Sequence, residues 1–152
     1  MTTQLSTLQG YQPSLCKNIS NRTVSKLDSY RQALRSLPAS DWSDYLLKES
    51  GLSGPRANLE LVQAAADLGT AEQFRRWLAM DAAATPPETA LEFVPLCGAV
   101  GLGRLLAEGQ LDVLPELRRH AADPRWRVRE GVAMALQRVL GKPARRLSVP
   151  QS

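Results

Sequence analysis

Residues 112–140, DVLPELRRHAADPRWRVREGVAMALQRVL, form the stretch that decides the predicted fold. Apolar residues recur there at three- and four-residue spacing, which places them on one face of an α-helix. These positions are Val113, Leu114, Leu117 and Ala121 in the first half, and Val128, Val132, Ala135, Leu136 and Val139 in the second. Asp123 and Pro124 lie between the halves and are typical of the start of a new helix. The stretch therefore predicts two helices that fold back on each other.

The composition of the whole chain favours helix over strand. The 152 residues are 43% apolar and only 5% aromatic, and alanine and leucine, which dominate, are strong helix formers. A chain of this length is normally one domain with its own core. We expect neither a membrane-spanning run nor a secretory signal. Cys16 and Cys97 are predicted to be reduced thiols of a cytoplasmic protein, with a disulfide between them as the alternative.

The remaining chain predicts five further helices, at 24–37, 41–50, 55–68, 71–80 and about 90–108. Thr70 and Gln73 have the spacing of a capping box that opens the fourth of these helices. Gly98, Gly101 and Gly103 each cost about 1 kcal/mol relative to alanine inside a helix, so their clustering predicts that another backbone packs closely there. The predicted organisation is a flexible N-terminal arm at 1–22, a helical domain at 23–140 and a basic flexible tail at 141–152.

Several of these predicted helices are weakly similar in sequence to one another. Residues 94–106 align with 128–140 at an offset of 34, and residues 74–76 align with 117–119 at an offset of 43. Residues 55–69 align with 95–109 at an offset of 40. Periods near 40 are typical of repeat proteins built from helical hairpins. The difference between the first two offsets falls on the loop at 81–88, DAAATPPE, which we interpret as an insertion.

The 112–140 stretch resembles a HEAT repeat. That family has a proline in the first helix, an aspartate that closes it and a Val-Arg pair that opens the second helix; the matching positions here are Pro115, Asp123, Val128 and Arg129. The resemblance implies an all-α, right-handed α-solenoid of about three HEAT-like helical hairpins plus one N-terminal helix. The hairpins would be 41–50 with 55–68, 71–80 with about 90–108, and 112–122 with 125–140. Nothing obvious in the sequence covers the C-terminal end of this stack.

Charge is distributed unevenly along the chain. Residues 1–35 carry a net charge of +4, residues 36–117 carry −7, and residues 118–152 carry +7. A basic segment of this kind is a candidate contact for nucleic acid or for an acidic partner.

The candidate interaction surface consists of Arg104, Arg125, Trp126, Arg127 and Arg138. Arginines that alternate with an aromatic residue suit nucleic acid, because guanidinium groups bind phosphates and tryptophan stacks on bases. The structural alternative is that Arg129 pairs with Asp123 inside the turn while Trp126 covers the end of the last repeat. Arg104 and Arg138 occupy equivalent repeat positions, so they are expected either to line a concave surface or to be simply solvated.

No residue pattern in the sequence predicts catalysis. His120 has no partners for a metal site, Cys97 has apolar neighbours and no nearby histidine, and Glu88 and Glu92 are expected on an outer helix face. We therefore predict that the protein is not an enzyme and needs no cofactor or metal.

The sequence thus favours a cytoplasmic module that binds an unidentified protein partner through its concave face or its open C-terminal end. The alternative is binding to the DNA backbone, because the chain is distantly similar to the HEAT-like DNA-alkylation-repair proteins. The acidic segment at 36–117 departs from the basic surface that such binding needs. A monomer or weak oligomer without membrane contact is expected.

Overall fold

A computed structural model describes residues 25–86 and 88–141. All regular structure in these ranges is helical, as the composition and spacing predict. The predicted arm at 1–22 and nearly all of the predicted tail at 141–152 lie outside the described residues.

Seven α-helices follow one another along the described chain, and three of them are preceded by a short 3-10 turn. The α-helices are α1 (Lys26–Arg35), α2 (Trp42–Glu49), α3 (Leu59–Leu68), α4 (Ala71–Leu78), α5 (Phe93–Ala107), α6 (Leu114–His120) and α7 (Trp126–Leu140). The 3-10 turns are Ala39–Asp41 before α2, Ala90–Glu92 before α5 and Leu111–Val113 before α6.

Local capping explains where several helices begin. Thr70 and Gln73 form the predicted capping box at the start of α4. The predicted helix at 55–68 begins instead at Leu59, because Asn58 accepts a hydrogen bond from the Leu61 amide and so acts as the N-cap. The helix at 125–140 begins at Trp126.

Helix α5 lies at the centre of the fold. It packs most extensively against α3, α4 and α7, and α1 packs against α3. All of its residues are buried except Arg104 and Ala107, which are partly exposed. The core therefore surrounds this one helix, and the other helices supply its walls.

Glycines allow the neighbouring helices to approach α5 closely, as their clustering predicts. A Cβ atom added at Gly101 would overlap the ring of Phe74 in α4. A Cβ added at Gly103 would lie 2.5 Å from the Cα of Ala135 in α7. Side chains at these two positions would thus force α4 or α7 away from α5.

Helices α5 and α7 run in the same direction. A Cβ added at Gly131, early in α7, would meet Leu96 and Ala99, whereas Gly103, later in α5, faces Ala135. Residue numbers therefore rise together along the two helices, with an offset of about 32 between facing positions. This register places the end of α7 beside the end of α5.

The buried apolar residues form one core that includes four large aromatic side chains: Trp42, Phe74, Trp77 and Phe93. The Trp42 ring of α2 stacks on the Trp77 ring of α4, with centroids 6.4 Å apart, and Phe74 lies 6.0 Å from Trp77. The indole nitrogen of Trp42 also donates a hydrogen bond to the Leu34 carbonyl oxygen, which fixes α1 to α2.

Three positions of the predicted apolar faces, Leu114, Ala121 and Leu136, are exposed, and Val139 is half-buried. Leu114 of α6 and Leu136 of α7 are 46% and 44% exposed. These helices lie at the end of the described chain and have no further helix beyond them there. Their apolar faces are therefore wider than the surface that α5 covers.

By length and composition alone, the segment Ala90–Ala107 could cross a membrane, although no such run was expected from the sequence. In the structure 78% of it is buried inside the protein. The burial comes from α3, α4 and α7, which pack around α5. Its hydropathy is therefore explained by its central position.

Candidate functional site

Arg125, a predicted surface residue, lies in the interior with 2% of its area exposed. Its Nε and Nη2 atoms each donate a hydrogen bond of 2.9 Å to one carboxylate oxygen of Asp123. The Arg125 amide also donates to Asp123 Oδ1, at 2.9 Å. The pair is bidentate and fills the turn between α6 and α7, so Arg125 is not available to a ligand on the surface.

The same guanidinium reaches a distant loop. Its Nη1 atom donates to the carbonyl oxygen of Met80 at 2.9 Å and to the hydroxyl of Thr85, which is itself buried. The loop at 81–88, which the sequence presents as an insertion, is thereby joined to the α6–α7 turn.

The Asp123 carboxyl is held in its charged form. Burial opposes ionisation, but hydrogen bonds from the side chain and amide of Arg125, and from His120, outweigh this effect and lower the pKa of Asp123 to about 2. His120 Nδ1 lies 3.3 Å from Asp123 Oδ2. These contacts give His120 a structural role at the end of α6.

Arg129 contacts the turn in a different way from the one predicted. Its Nη1 atom donates to the backbone carbonyl oxygens of Asp123 and Pro124, at 2.7 and 3.1 Å. The Asp123 carboxylate itself forms an ion pair with Arg125. The predicted ion pair between Arg129 and Asp123 is therefore wrong, and Arg125 is the arginine that pairs with the acid.

Trp126 and Arg127 form one wall of a surface groove. The Arg127 guanidinium lies 4.4 Å from the centre of the Trp126 ring and 3.6 Å from a carboxylate oxygen of Glu130. The groove has a volume of about 340 Å³, and its opposite wall is the 52–55 segment together with Glu88. The half-exposed Trp126 ring is thus already covered on one side by its neighbour.

Arg104 and Arg138 converge on the C-terminal end of α3. Arg104 Nη1 donates to the carbonyl oxygen of Asp67 at 2.6 Å, while Arg138 contacts the Asp67 carboxylate and donates to Gln63 Oε1 at 2.5 Å. Arg31 of α1 binds the same carboxylate, at 2.9 Å from its Nε atom. Burial, and then the charge of Arg31, lower the pKa of Arg138.

The charges of this cluster are balanced. Arg31 also pairs with Asp28, and Arg104 with Glu108. Three arginines therefore face three acids: Asp28, Asp67 and Glu108. The arrangement connects α1, α3, α5 and α7 and leaves little positive charge for a phosphate ligand.

The described residues as a whole are almost neutral. They carry 14 basic and 15 acidic side chains, a net charge of −1, whereas the whole chain is +4. The five remaining basic residues, Lys17, Arg22, Lys142, Arg145 and Arg146, lie outside the described ranges. The positive charge of the sequence thus belongs to the two ends of the chain rather than to the helical body.

An exposed apolar surface lies on α6, on α7 and on the 3-10 turn before α6. We call it the end surface and define it by Leu111, Leu114, Leu136 and Leu140, which are 69%, 46%, 44% and 62% exposed. The spacing of these leucines marks them only as apolar positions, because burial depends on whether another element covers them. These helices are the last two of the described chain, where the sequence predicts an open end.

No arrangement typical of a catalytic or metal site occurs among residues 25–86 and 88–141. Cys97 is fully buried, and burial raises the pKa of its thiol. Glu92, expected on an outer face, is fully buried and accepts a hydrogen bond from the Glu88 amide. No group of three metal-binding side chains is found in these ranges. Comparison with protein-family models, with curated proteins and with solved structures finds no match to this chain.

Proposed function

We propose that this protein is a non-catalytic module of HEAT-like hairpins, arranged as a right-handed α-solenoid, that binds another protein through its end surface. In this arrangement the hairpins are α4 with α5 and α6 with α7, whereas α3, which the sequence pairs with α2, packs against α1 instead. The module would act in the cytoplasm, without a cofactor.

The order in which the helices contact one another supports the stacked arrangement. Helix α5 packs between α3 and α7, and it runs parallel to α7, as equivalent helices of successive repeats do. Helices α2, α4 and α6 also touch one another in this order. Trp42 of α2 stacks on Trp77 of α4, and Arg75 of α4 pairs with Glu116 of α6 at 3.0 Å.

The exposure of the end surface is the observation that carries the binding proposal. Repeat proteins usually have terminal units with a polar outer face, because an apolar outer face invites association. Here four leucines are exposed on the last hairpin. Exposed apolar patches of this kind commonly mark sites of protein interaction.

The test compares two substitutions of equally exposed leucines. Leu136→Glu places a charge on the end surface, whereas Leu59→Glu is a matched control, because Leu59 is 43% exposed and lies at the start of α3. Proteins captured from cell extract would be purified and their dissociation constants measured for each variant. We expect binding to the native chain and to the control, and at least tenfold weaker binding to Leu136→Glu. Equal binding to both variants, or no saturable binding at all, would refute the proposal.

Binding to DNA, the alternative, has less support. Arg125 is buried, Arg104 and Arg138 lie in a balanced cluster, and the described body has a net charge of −1. Binding to the phosphate backbone requires a positive surface that releases counterions. The basic residues near the chain ends remain the part of the sequence that favours it.

A further inference from the structure

The surface groove at the start of α7 has the size and lining of a site for a small molecule. It has a volume of about 340 Å³ and is lined by the 52–55 segment, Glu88, Trp126 and Arg127. Ligand sites in proteins commonly have volumes from about 300 Å³ upward and combine apolar walls with a few polar groups. The groove lies at the lower limit of this range, so a ligand that fills it is small.

The Arg127 guanidinium lines this groove with its hydrogen-bonding capacity unused. Its side chain is only 10% exposed, and none of its five N–H groups donates a hydrogen bond to a residue of the described ranges. Its contact with Glu130, at 3.6 Å, is longer than a hydrogen bond. Elsewhere in the protein, Arg31 and Arg75 each bind two carboxylates. Arg127 can likewise bind a second carboxylate, from a ligand in the groove.

The start of α7 also favours a negative charge in the groove. Trp126 and Arg127 are the first two residues of this 15-residue helix. Its first turn contains no acidic residue, and the side chain of the N-cap residue, Arg125, makes no capping hydrogen bond. The amides of a first turn have no acceptor inside their own helix and, together with the helix dipole, favour an anion. A carboxylate next to Arg127 is therefore stabilised by the helix as well as by the guanidinium.

An acidic residue, Glu88, lines the same groove. Glu88 is exposed, and its carboxylate has no ion pair or hydrogen bond with the rest of the described chain. Its backbone has a φ of +63°, a conformation that residues with a side chain rarely adopt and that neighbouring contacts must hold. The contact is the fully buried carboxylate of Glu92, which accepts a hydrogen bond of 2.8 Å from the Glu88 amide. The buried acid thus fixes the backbone of the acid that lines the groove.

The groove therefore combines a carboxylate-binding arginine, a free acidic group and the apolar surface of Leu52, Pro55 and Trp126. A free α-amino acid presents the complementary groups at neutral pH, because it carries a carboxylate, an ammonium group and a side chain. We propose that the groove binds a free α-amino acid with an apolar side chain. Its carboxylate contacts Arg127, its ammonium group contacts Glu88, and its side chain packs on the apolar wall.

This site is separate from the end surface. Trp126 begins α7, whereas Leu136 and Leu140 lie in its second half, and the helix is about 22 Å long. Binding of an amino acid therefore does not require a protein partner on the end surface, and it can hold even where the proposed function fails.

Titration of the full-length ¹⁵N-labelled chain with L-leucine and, separately, with L-phenylalanine tests the proposal by nuclear magnetic resonance. We expect saturable shifts of the amides at 52–55 and 126–128, with a dissociation constant of about 1 mM or lower for at least one of the two. Two further probes use the same native chain: L-leucinamide lacks the carboxylate, and N-acetyl-L-leucine lacks the ammonium group. Each should bind at least about tenfold more weakly than L-leucine, because one charged contact is lost.

Substitutions test the same two contacts from the side of the protein. Arg127→Gln and Glu88→Gln remove the charged groups of the groove, and Arg118→Gln and Glu72→Gln are matched controls at exposed positions outside it. Both amino acids should bind at least about tenfold more weakly to the first pair and equally well to the controls. Because Glu88 is exposed, Glu88→Gln and the two modified probes keep the test valid if Arg127→Gln does not fold.

Three results would overturn the proposal. The absence of saturable shifts with both amino acids up to about 10 mM would show that the groove does not bind them. Equal binding of L-leucine and L-leucinamide would show that Arg127 does not hold a carboxylate. Equal binding of L-leucine and N-acetyl-L-leucine would assign the groove to the C-terminal carboxylate of a peptide instead. Protein binding by the end surface is tested separately, by the comparison of Leu136→Glu with Leu59→Glu.

Discussion

Replacement of Arg125 by alanine should destabilise the fold far more than replacement of the other arginines in its sequence run. The substitution leaves Asp123 buried, with 8% of its side chain exposed, and without its bidentate partner. It also removes the hydrogen bonds to Met80 and Thr85. Removing one member of a buried ion pair typically costs about 3–5 kcal/mol.

The pKa of Asp123 gives an independent measure of part of this cost. A fall from 3.8 to about 2 corresponds to about 2 kcal/mol of stability, because one pKa unit is worth about 1.4 kcal/mol. The folded pKa lies below the unfolded one, so this contribution is complete above about pH 4 and is lost as the pH falls towards 2. The remaining cost comes from the two contacts with the loop.

Thermal and urea unfolding at neutral pH measure the effect directly. We expect Arg125→Ala to lower the Tm by about 10 °C, since 1 kcal/mol corresponds to about 2–4 °C in a chain of this size. Arg129→Ala is the matched control, because its side chain is exposed and donates only to two backbone carbonyl oxygens. It should cost about 1 kcal/mol. The loss of stability between pH 4 and pH 2 should be smaller in Arg125→Ala than in the control, because only the side-chain contribution of Arg125 to the lowered pKa of Asp123 is removed.

Two results would contradict this reasoning. The first is a cost of about 1 kcal/mol or less for Arg125→Ala, similar to that of the control. The second is additivity in the double variant Asp123→Ala, Arg125→Ala, since two groups that act as a buried pair should show a coupling energy of about 1 kcal/mol or more.

Three further predictions concern packing, thiol chemistry and charge. Gly103→Ala should destabilise the protein by about 1–3 kcal/mol in urea unfolding, because the added methyl group would meet Ala135. In the control Gly141→Ala the methyl group has only ordinary contacts, and stability should change by less than about 0.5 kcal/mol. Equal effects of the two substitutions would refute close packing of α5 and α7. Cys97 should resist iodoacetamide in the native protein and react after unfolding, because its thiol is buried and the pKa of the thiol is raised. Mass spectrometry maps the labelled residue, and rapid labelling of the native protein would contradict the burial of Cys97. Fluorescence anisotropy titrations of labelled duplex DNA, at two salt concentrations, should give a dissociation constant no lower than about 1 μM at physiological salt. A nanomolar dissociation constant that rises steeply with salt would favour the DNA alternative instead.

The sequence predicts the helices well because their signals are local. The capping box at Thr70 and Gln73 involves residues three apart, and the apolar spacing of α7 identifies a helix whatever surrounds it. Helix ends were less accurate where a side chain decides them, as at Asn58. The glycine cluster of α5 predicts close packing, and the structure confirms it.

The candidate site was harder to predict because its contacts are distant in sequence. The role of Arg125 depends on Thr85, forty residues earlier, and that of Arg138 on Asp67, seventy-one residues earlier. A run of alternating arginines has the same appearance whether its members face solvent or an acid. The exposure of Leu136 likewise depends on the absence of a covering helix among the described residues, which apolar spacing alone does not reveal.

The Arg125 guanidinium has a consequence for how the protein opens. It holds Asp123 in one segment and Met80 and Thr85 in another, so neither segment can detach without leaving a buried charge unsatisfied. Amide protons in residues 81–86 and 121–125 should therefore exchange with solvent deuterium at a common opening free energy, as parts of one cooperative unit. The amide protons of this proline-containing surface loop would then exchange as slowly as those of the turn to which the loop is bound.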